Sequence, residues 1–206
     1  MNSVVVLLSG RGSNLQALLD AGLPVSAVIS NVPGAAGLAI ATQRGIPARV
    51  VPHKDFASRE SFEDALAEAI DGYAPSLVAL AGFMRVLTPG FVERYRERML
   101  NIHPSLLPAY PGLKTHERAL ADGVKLHGCS VHFVTADLDH GPIVAQAALP
   151  VRRGDTAASL AQRVLKLEHV LYPRAARWFL DGKLVIRRGA VSVKGNDAQL
   201  VFDDSA

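Results

Sequence analysis

A single cysteine, Cys129, stands in 206 residues. No internal disulfide can form, and such usage fits a reducing compartment. Cys129 reads as a small buried residue rather than a nucleophile. No charged n-region precedes the apolar run near the N-terminus, and Ser9-Gly10-Arg11-Gly12 breaks that run early. Neither a signal peptide nor a transmembrane helix is expected, and the expected location is cytoplasmic. Charge of one sign is scarce as well. There are 22 lysines and arginines against 19 acids, a formal net charge of +3. So small an excess gives little support to nucleic-acid binding and suits anionic small molecules equally well. No HxH or HExxH spacing occurs, which disfavours a metal site. No GxSxG occurs, which disfavours a serine nucleophile on an elbow. Repeats and low-complexity segments are absent.

What remains is an ordinary globular composition, 49% hydrophobic and 20% charged. The length allows one sizeable core, and a single domain is the expectation. Val4–Leu8 is a continuous aliphatic run, as in a parallel strand buried on both faces. It enters Ser9-Gly10-Arg11-Gly12-Ser13-Asn14 and then a helical pattern from Leu15 to about Ala21. A strand, a glycine turn and a helix start gather free N–H groups at one point, which suits a phosphate. The alternative is a plain tight turn with Ser13 as helix cap. The stretch is neither a dinucleotide fingerprint, since Leu15 holds the third glycine position, nor a Walker loop. Strands at Val25–Ser30, Ala48–Val51 and Ser76–Ala81 alternate with helices near Leu38–Arg44 and Arg59–Gly72. The alternation predicts an α/β fold, a doubly wound and mostly parallel sheet with helices on both faces. Ligands in such sheets sit beyond the carboxyl ends of strands, where Gly10–Asn14 and Gly82–Leu87 both fall. The second segment suits a flat aromatic ligand, or Phe83 and Met84 simply cap the core.

Asn101-Ile102-His103-Pro104-Ser105 alternates an amide, an imidazole and a hydroxyl. In an extended segment that period puts all three on one side. The spacing predicts either a rigid holder of polar groups or an ordinary strand end. A helix at Thr115–Ala121 follows, then strands at His127–Val134 and Ile143–Leu149, so the C-terminal half contains antiparallel hairpin strands. A long helix covers about Thr156–Asp181, with Glu168 at the edge of its apolar stripe. Leu184–Arg187, Val191–Val193 and Gln199–Phe202 read as a small exposed hairpin region before a frayed tail. Asn101, His103, Ser130, His132 and Asp139 form the candidate cluster. A metal site, a hydrolytic triad and a site without a covalent intermediate remain open to it.

Leu7–Gln16, Leu80–Leu87, Asn101–Pro108, Ser130–Thr135 and Leu138–Pro142 together resemble the folate-dependent formyltransferase family. Within it they closely resemble the phosphoribosylglycinamide formyltransferases of purine synthesis, from Val4 to about Gly182. The resemblance implies a single, Rossmann-like formyltransferase domain over 1–206. Its N-terminal half would bind phosphate, and its C-terminal half would serve folate and catalysis, with 184–206 a small hairpin and tail. It implies transfer of a formyl group from 10-formyltetrahydrofolate, a co-substrate, to the amine of phosphoribosylglycinamide, with no metal. Gly12, Ser13, Asn14 and Glu168 would hold the acceptor, Glu168 at a ribose hydroxyl. Arg59, Met84, Arg85, Val86, Leu87 and Asn101 would line the folate site, Arg59 facing its glutamate tail. Asn101, His103 and Asp139 would be catalytic, with Asp139 raising the pKa of His103 so that the ring stays charged. Ser130 and His132 would support them. Arg11 and His140 depart from the pattern without touching that set. Partners would be small molecules, with no nucleic acid or membrane, and the protein a monomer or homodimer. Among relatives, the tRNA-acting enzymes carry a further C-terminal domain and the hydrolases a further N-terminal one. Neither is expected here. A non-catalytic sugar-phosphate binder would leave Asn101, His103 and Asp139 without a role, and a nucleotide-sugar formyltransferase would lack the Ser9–Asn14 turn.

Overall fold

A computed structural model describes residues 2–203. Val4–Leu8 forms β1, and every residue of it is buried, which explains the absence of polar alternation. It is followed by α1 (Ser13–Asp20), β2 (Val25–Ser30), α2 (Ala36–Gln43), β3 (Ala48–Val50) and α3 (Arg59–Asp71). Then come β4 (Leu77–Leu80), α4 (Pro89–Arg94) and β5 (Met99–His103). The C-terminal part holds α5 (Thr115–Ala121), β6 (Leu126–Phe133), β7 (Ile143–Pro150) and α6 (Ala157–Leu180). It ends in β8 (Leu184–Arg187), β9 (Ala190–Val193) and β10 (Leu200–Phe202). The main sheet has eight strands in the order β10-β7-β6-β5-β4-β1-β2-β3, and β8-β9 form a separate antiparallel pair. This is the expected doubly wound, mostly parallel arrangement with a hairpin added. The chain divides into two compact units, residues 1–101 and 102–206.

In the first unit β1 pairs in parallel with β2 on one side and β4 on the other. The chain builds outward to β3 and then returns across β1 to β4, so the direction of winding reverses beside β1. In doubly wound sheets such a reversal is where ligands bind, outside the carboxyl ends of the strands beside it, here β1 and β4. α3 buries Phe62, Leu66 and Ile70 as its 3.6-residue spacing requires. Ser58 and Ser61 cap its start reciprocally. α1 differs from expectation. It starts at Ser13, and its cap is Gly12, in the left-handed region at φ 80, so the expected Ser13 cap is not formed. The cause is close packing: a Cβ on Gly12 would lie 2.5 Å from the Cα of Gly37 in α2.

In the second unit β6 and β7 pair antiparallel, with the register shifting between Val131 and His132. α6 packs on both strands and buries Leu160, Val164, Leu167, Leu171 and Ala175. Asp155 anchors its start, accepting from the Arg152 N–H at 2.8 Å, the Ser159 hydroxyl at 2.9 Å and Arg163 at 2.8 Å. These donors hold the Asp155 carboxyl below its usual range, against the opposing push of burial. β10 corrects the expected C-terminal hairpin region. It pairs in parallel with β7 at the edge of the main sheet, not with β8 or β9. Gln199 directs it there, since its amide donates to Val144 O at 2.7 Å and its carbonyl accepts from Gln146 N at 2.9 Å. The frayed tail expected after it lies at 204–206, outside the described residues. No helix among the described residues is long and apolar enough to cross a membrane.

Candidate active site

The first unit holds the turn expected to bind phosphate. Gly12 is buried, Ser13 half-buried and Asn14 buried, at the N-terminal end of α1. Their backbone N–H groups belong to the first turn, which has no intrahelical acceptors to offer them. The same unit holds Arg59, the 84–87 segment and Asn101, the residues that the resemblance assigns to the folate. Met84 and Val86 are 66% and 51% exposed, Leu87 is buried and Arg85 half-buried. The guanidinium of Arg85 lies 6.0 Å from the Phe62 ring centre. Met84 therefore does not cap the core, whereas Phe83 does. Arg59 is exposed at the first position of α3.

Sequence reasoning missed the polar groups that shape this segment. Glu63 is 4% exposed on α3, and its carboxylate accepts from the N–H of Thr88 at 2.8 Å and from the Thr88 hydroxyl. A carboxylate next to an inner-stripe residue was the available signal, because buried acids require partners.

In the second unit His103 ends β5, is buried, and carries its ring between two acceptors. Its Nε2 lies 3.0 Å from the carbonyl oxygen of Tyr110, and its Nδ1 3.5 Å from Asp139 Oδ2. A carbonyl can only accept, so Nε2 carries a hydrogen. The expected alternation stops at His103. Ser105 leaves the strand, because its N–H folds back to His103 O at 2.9 Å around Pro104. Its hydroxyl donates to Ala109 O at 2.6 Å, so Ser105 shapes the loop instead of joining Asn101 and His103 on a strand face. Asn101, half-buried, belongs to the same strand two positions before His103.

Asp139 sits in the loop between β6 and β7 at φ 55, a conformation that aspartate tolerates better than most residues. Its side chain is 8% exposed, and Oδ2 accepts from Gly112 N at 2.8 Å. Gly141 is required behind it, since a Cβ there would lie 1.7 Å from Phe133 O. His132 is buried beside the same carboxylate, with Nε2 3.7 Å from Asp139 Oδ1. Its Nδ1 donates to Phe133 O at 2.9 Å, and burial pushes its pKa down, so the ring is neutral. Ser130 accepts from Leu107 N at 3.0 Å and donates to Ser105 O at 2.8 Å, while Gln146 donates to both Leu107 O and Ser130. Ser130 thus holds the loop after His103 and does not reach the acid. Gln146, Gly112 and Tyr110 are further functional candidates. Tyr110 and Gly112 act through backbone atoms, which a sequence does not display.

Support for that loop continues outward. His116 Nδ1 lies 3.1 Å from His127 Nε2, and Arg118 donates to Pro111 O at 2.6 Å. Burial pushes His127 down to about 4 and lowers His116, so the pair is neutral. Glu168 is 8% exposed on α6, and after burial it is the next cause pushing the Cys129 thiol up. Pro111, Gly112, Ala136, Asp137, Leu138 and His140 line an open depression of about 650 Å³. His140, expected as a neighbour of Asp139, points its Nδ1 at Leu138 O, 2.7 Å away. Among the described residues no group of three or more His, Cys, Asp or Glu side chains is arranged to hold a metal ion.

Residues 2–176 match the family model described as formyl transferase. The chain is 49% identical over 199 residues to phosphoribosylglycinamide formyltransferase of Escherichia coli strain K12, covering 94% of both chains. The crystal structure of phosphoribosylglycinamide formyltransferase from Anaplasma phagocytophilum superposes with a TM-score of 0.93 at 42% identity, over 98% of this chain and 99% of that one. A formyltetrahydrofolate deformylase from Burkholderia mallei superposes at 0.84 with 30% identity, over 94% of this chain and 70% of that one.

Proposed function

Because this chain belongs to the formyl transferase family, among its phosphoribosylglycinamide formyltransferases, we propose how it carries a formyl group to its acceptor. The donor is 10-formyltetrahydrofolate, and the acceptor is the amine of phosphoribosylglycinamide, in the synthesis of the purine ring. The observation that carries this reading is the buried pair of His103 and Asp139, 3.5 Å apart.

The neutral amine attacks the formyl carbon, and a tetrahedral oxyanion forms. Asn101 donates through its side-chain amide. His103 donates through Nε2–H, for which a negative oxygen competes better than the neutral carbonyl of Tyr110. The Asp139 carboxylate stabilises the cationic ring by its charge and fixes its orientation. Collapse breaks the bond from the formyl carbon to N10 of the folate. The proton lost by the amine reaches that nitrogen, and we assign Asp139 the positioning of a relaying water. Gly12, Ser13 and Asn14 are assigned the acceptor's phosphate, for which the start of α1 is suited by the positive end of the helix dipole and the direction of its first N–H groups. Glu168 is assigned a ribose hydroxyl. Arg59, Met84, Arg85, Val86 and Leu87 are assigned the folate, with the exposed Met84 and Val86 offered to its flat ring. The deformylase relative sets the alternative, transfer of the formyl group to water. An absorbance assay of formyl-folate consumption with and without phosphoribosylglycinamide separates them. Consumption that needs the acceptor supports transfer, and equal consumption without it overturns the reading.

A further inference from the structure

Ser9 closes β1 and opens the glycine turn, and it also clasps the segment after β4. Its backbone N–H donates to Gly82 O at 3.0 Å, and its Oγ accepts from the N–H of Met84 at 2.8 Å. The same hydroxyl donates to Asn31 Oδ1 at 2.6 Å, at the end of β2. Asn31 is 2% exposed, and its amide is oriented in turn by contact with His53 Nδ1 at 3.1 Å. The Ser9 hydroxyl, with one hydrogen to give, is thus fixed in direction by a buried acceptor. Its oxygen is left to accept, and it accepts from the Met84 N–H. At the far end of the segment Glu63 holds Thr88. Between these clasps stand Met84 and Val86, largely exposed. Exposed apolar side chains on a loop lose rotamer and backbone freedom when a ligand orders them, and a loop already fixed at both ends loses less.

We propose that Ser9 is a positioning residue for the formyl donor: its hydroxyl, oriented by Asn31, holds the backbone of Met84 so that the 84–87 segment is shaped before the folate arrives. The inference rests on the assignment of that segment to the folate. Ser9 touches neither the reacting atoms nor the phosphate in this account, so its loss is felt in donor binding and not in the chemical step.

The test is calorimetric binding of tetrahydrofolate, with steady-state kinetics, in the wild type, Ser9→Ala and Ser9→Cys. Loss of one neutral hydrogen bond is expected to raise the folate Kd and the donor KM about fivefold to tenfold in Ser9→Ala. Ser9→Cys, which keeps a longer and weaker acceptor at the same position, is expected to fall between. The acceptor KM and kcat are expected to stay within about twofold. A folate Kd unchanged in Ser9→Ala overturns the proposal, as does an equal rise in both KM values or equal behaviour of the alanine and cysteine variants. Should Ser9→Ala fail to fold, the cysteine variant alone decides on the same criterion. Absence of folate binding by the wild type contradicts the assignment of the segment itself, a different outcome.

Discussion

At the scale of the residue, the proposed chemistry rests on a few groups whose surroundings decide their state. His132 and His103 share one carboxylate, yet burial pushes the His132 pKa down and keeps that ring neutral, against its bond to Phe133 O, which pulls the other way. His103 has an acceptor facing each ring nitrogen, the Tyr110 carbonyl at 3.0 Å and the Asp139 carboxylate at 3.5 Å. Replacing His103 or Asn101 by alanine is expected to lower kcat by about 10²–10³, the cost of one lost oxyanion donor. Near-wild-type turnover by either purified variant would reject its role. Gly141 gives an independent check on the acid. Its Cβ has no room against Phe133 O, so Gly141→Ala must move the loop that carries Asp139. A displacement near 1 Å is expected to cost on the order of 10²-fold in kcat, with the folded state retained by circular dichroism. Full activity would mean that the loop adjusts without consequence. As candidates, His103, Asn101 and Asp139 were legible because each is a polar residue in a motif. Gly112 and Tyr110 were not, because they act through a backbone N–H and a carbonyl.

At the scale of the element, strands and helices followed from periodicity. The buried run of β1, the Phe62, Leu66 and Ile70 spacing of α3 and the stripe of α6 all stand where the pattern put them. The misreadings occurred where tertiary contacts override local signals. Ser105 was extended by pattern but turned by Pro104 and its own hydroxyl. Gln199–Phe202 was hairpin by proximity but joins the edge of the main sheet beside β7. Ser13 was a good cap by type, but the approach of α1 to α2 through Gly12 and Gly37 sets the start. The contact of α5 with β6 carries a pH dependence. His127 is pushed down to about 4 by burial, with His116 opposite it. Its unfolded value is about 6.5, so the unfolded chain takes up the proton first. The stability present above that value is then lost as pH falls toward the folded value. Denaturant melts at pH 7 and pH 5 are expected to differ by about 2 kcal/mol more in the wild type than in His127→Gln. An identical pH response in both would show that His127 is not buried neutral.

At the scale of the whole molecule, the doubly wound sheet explains why the candidate site segments follow strand ends. Gly10–Asn14 follows β1, Gly82–Leu87 follows β4, and the loop after His103 follows β5. That much was legible from the alternation of buried runs and helical stripes. The fixing of these loops was not, because Ser9, Asn31, Glu63 and Gln146 are distant in sequence from what they hold. The central claim is that a carboxylate-held imidazolium serves acceptor-dependent formyl transfer. It is tested most directly by measuring turnover of the wild type and Asp139→Asn with phosphoribosylglycinamide present and absent. The amide keeps the acceptor for Gly112 N but removes the charge beside His103. The account predicts turnover only with the acceptor, and a fall on the order of 10²-fold or more in Asp139→Asn. Asp139→Asn turning over at the wild-type rate, or wild-type consumption of formyl-folate indifferent to the acceptor, would contradict it.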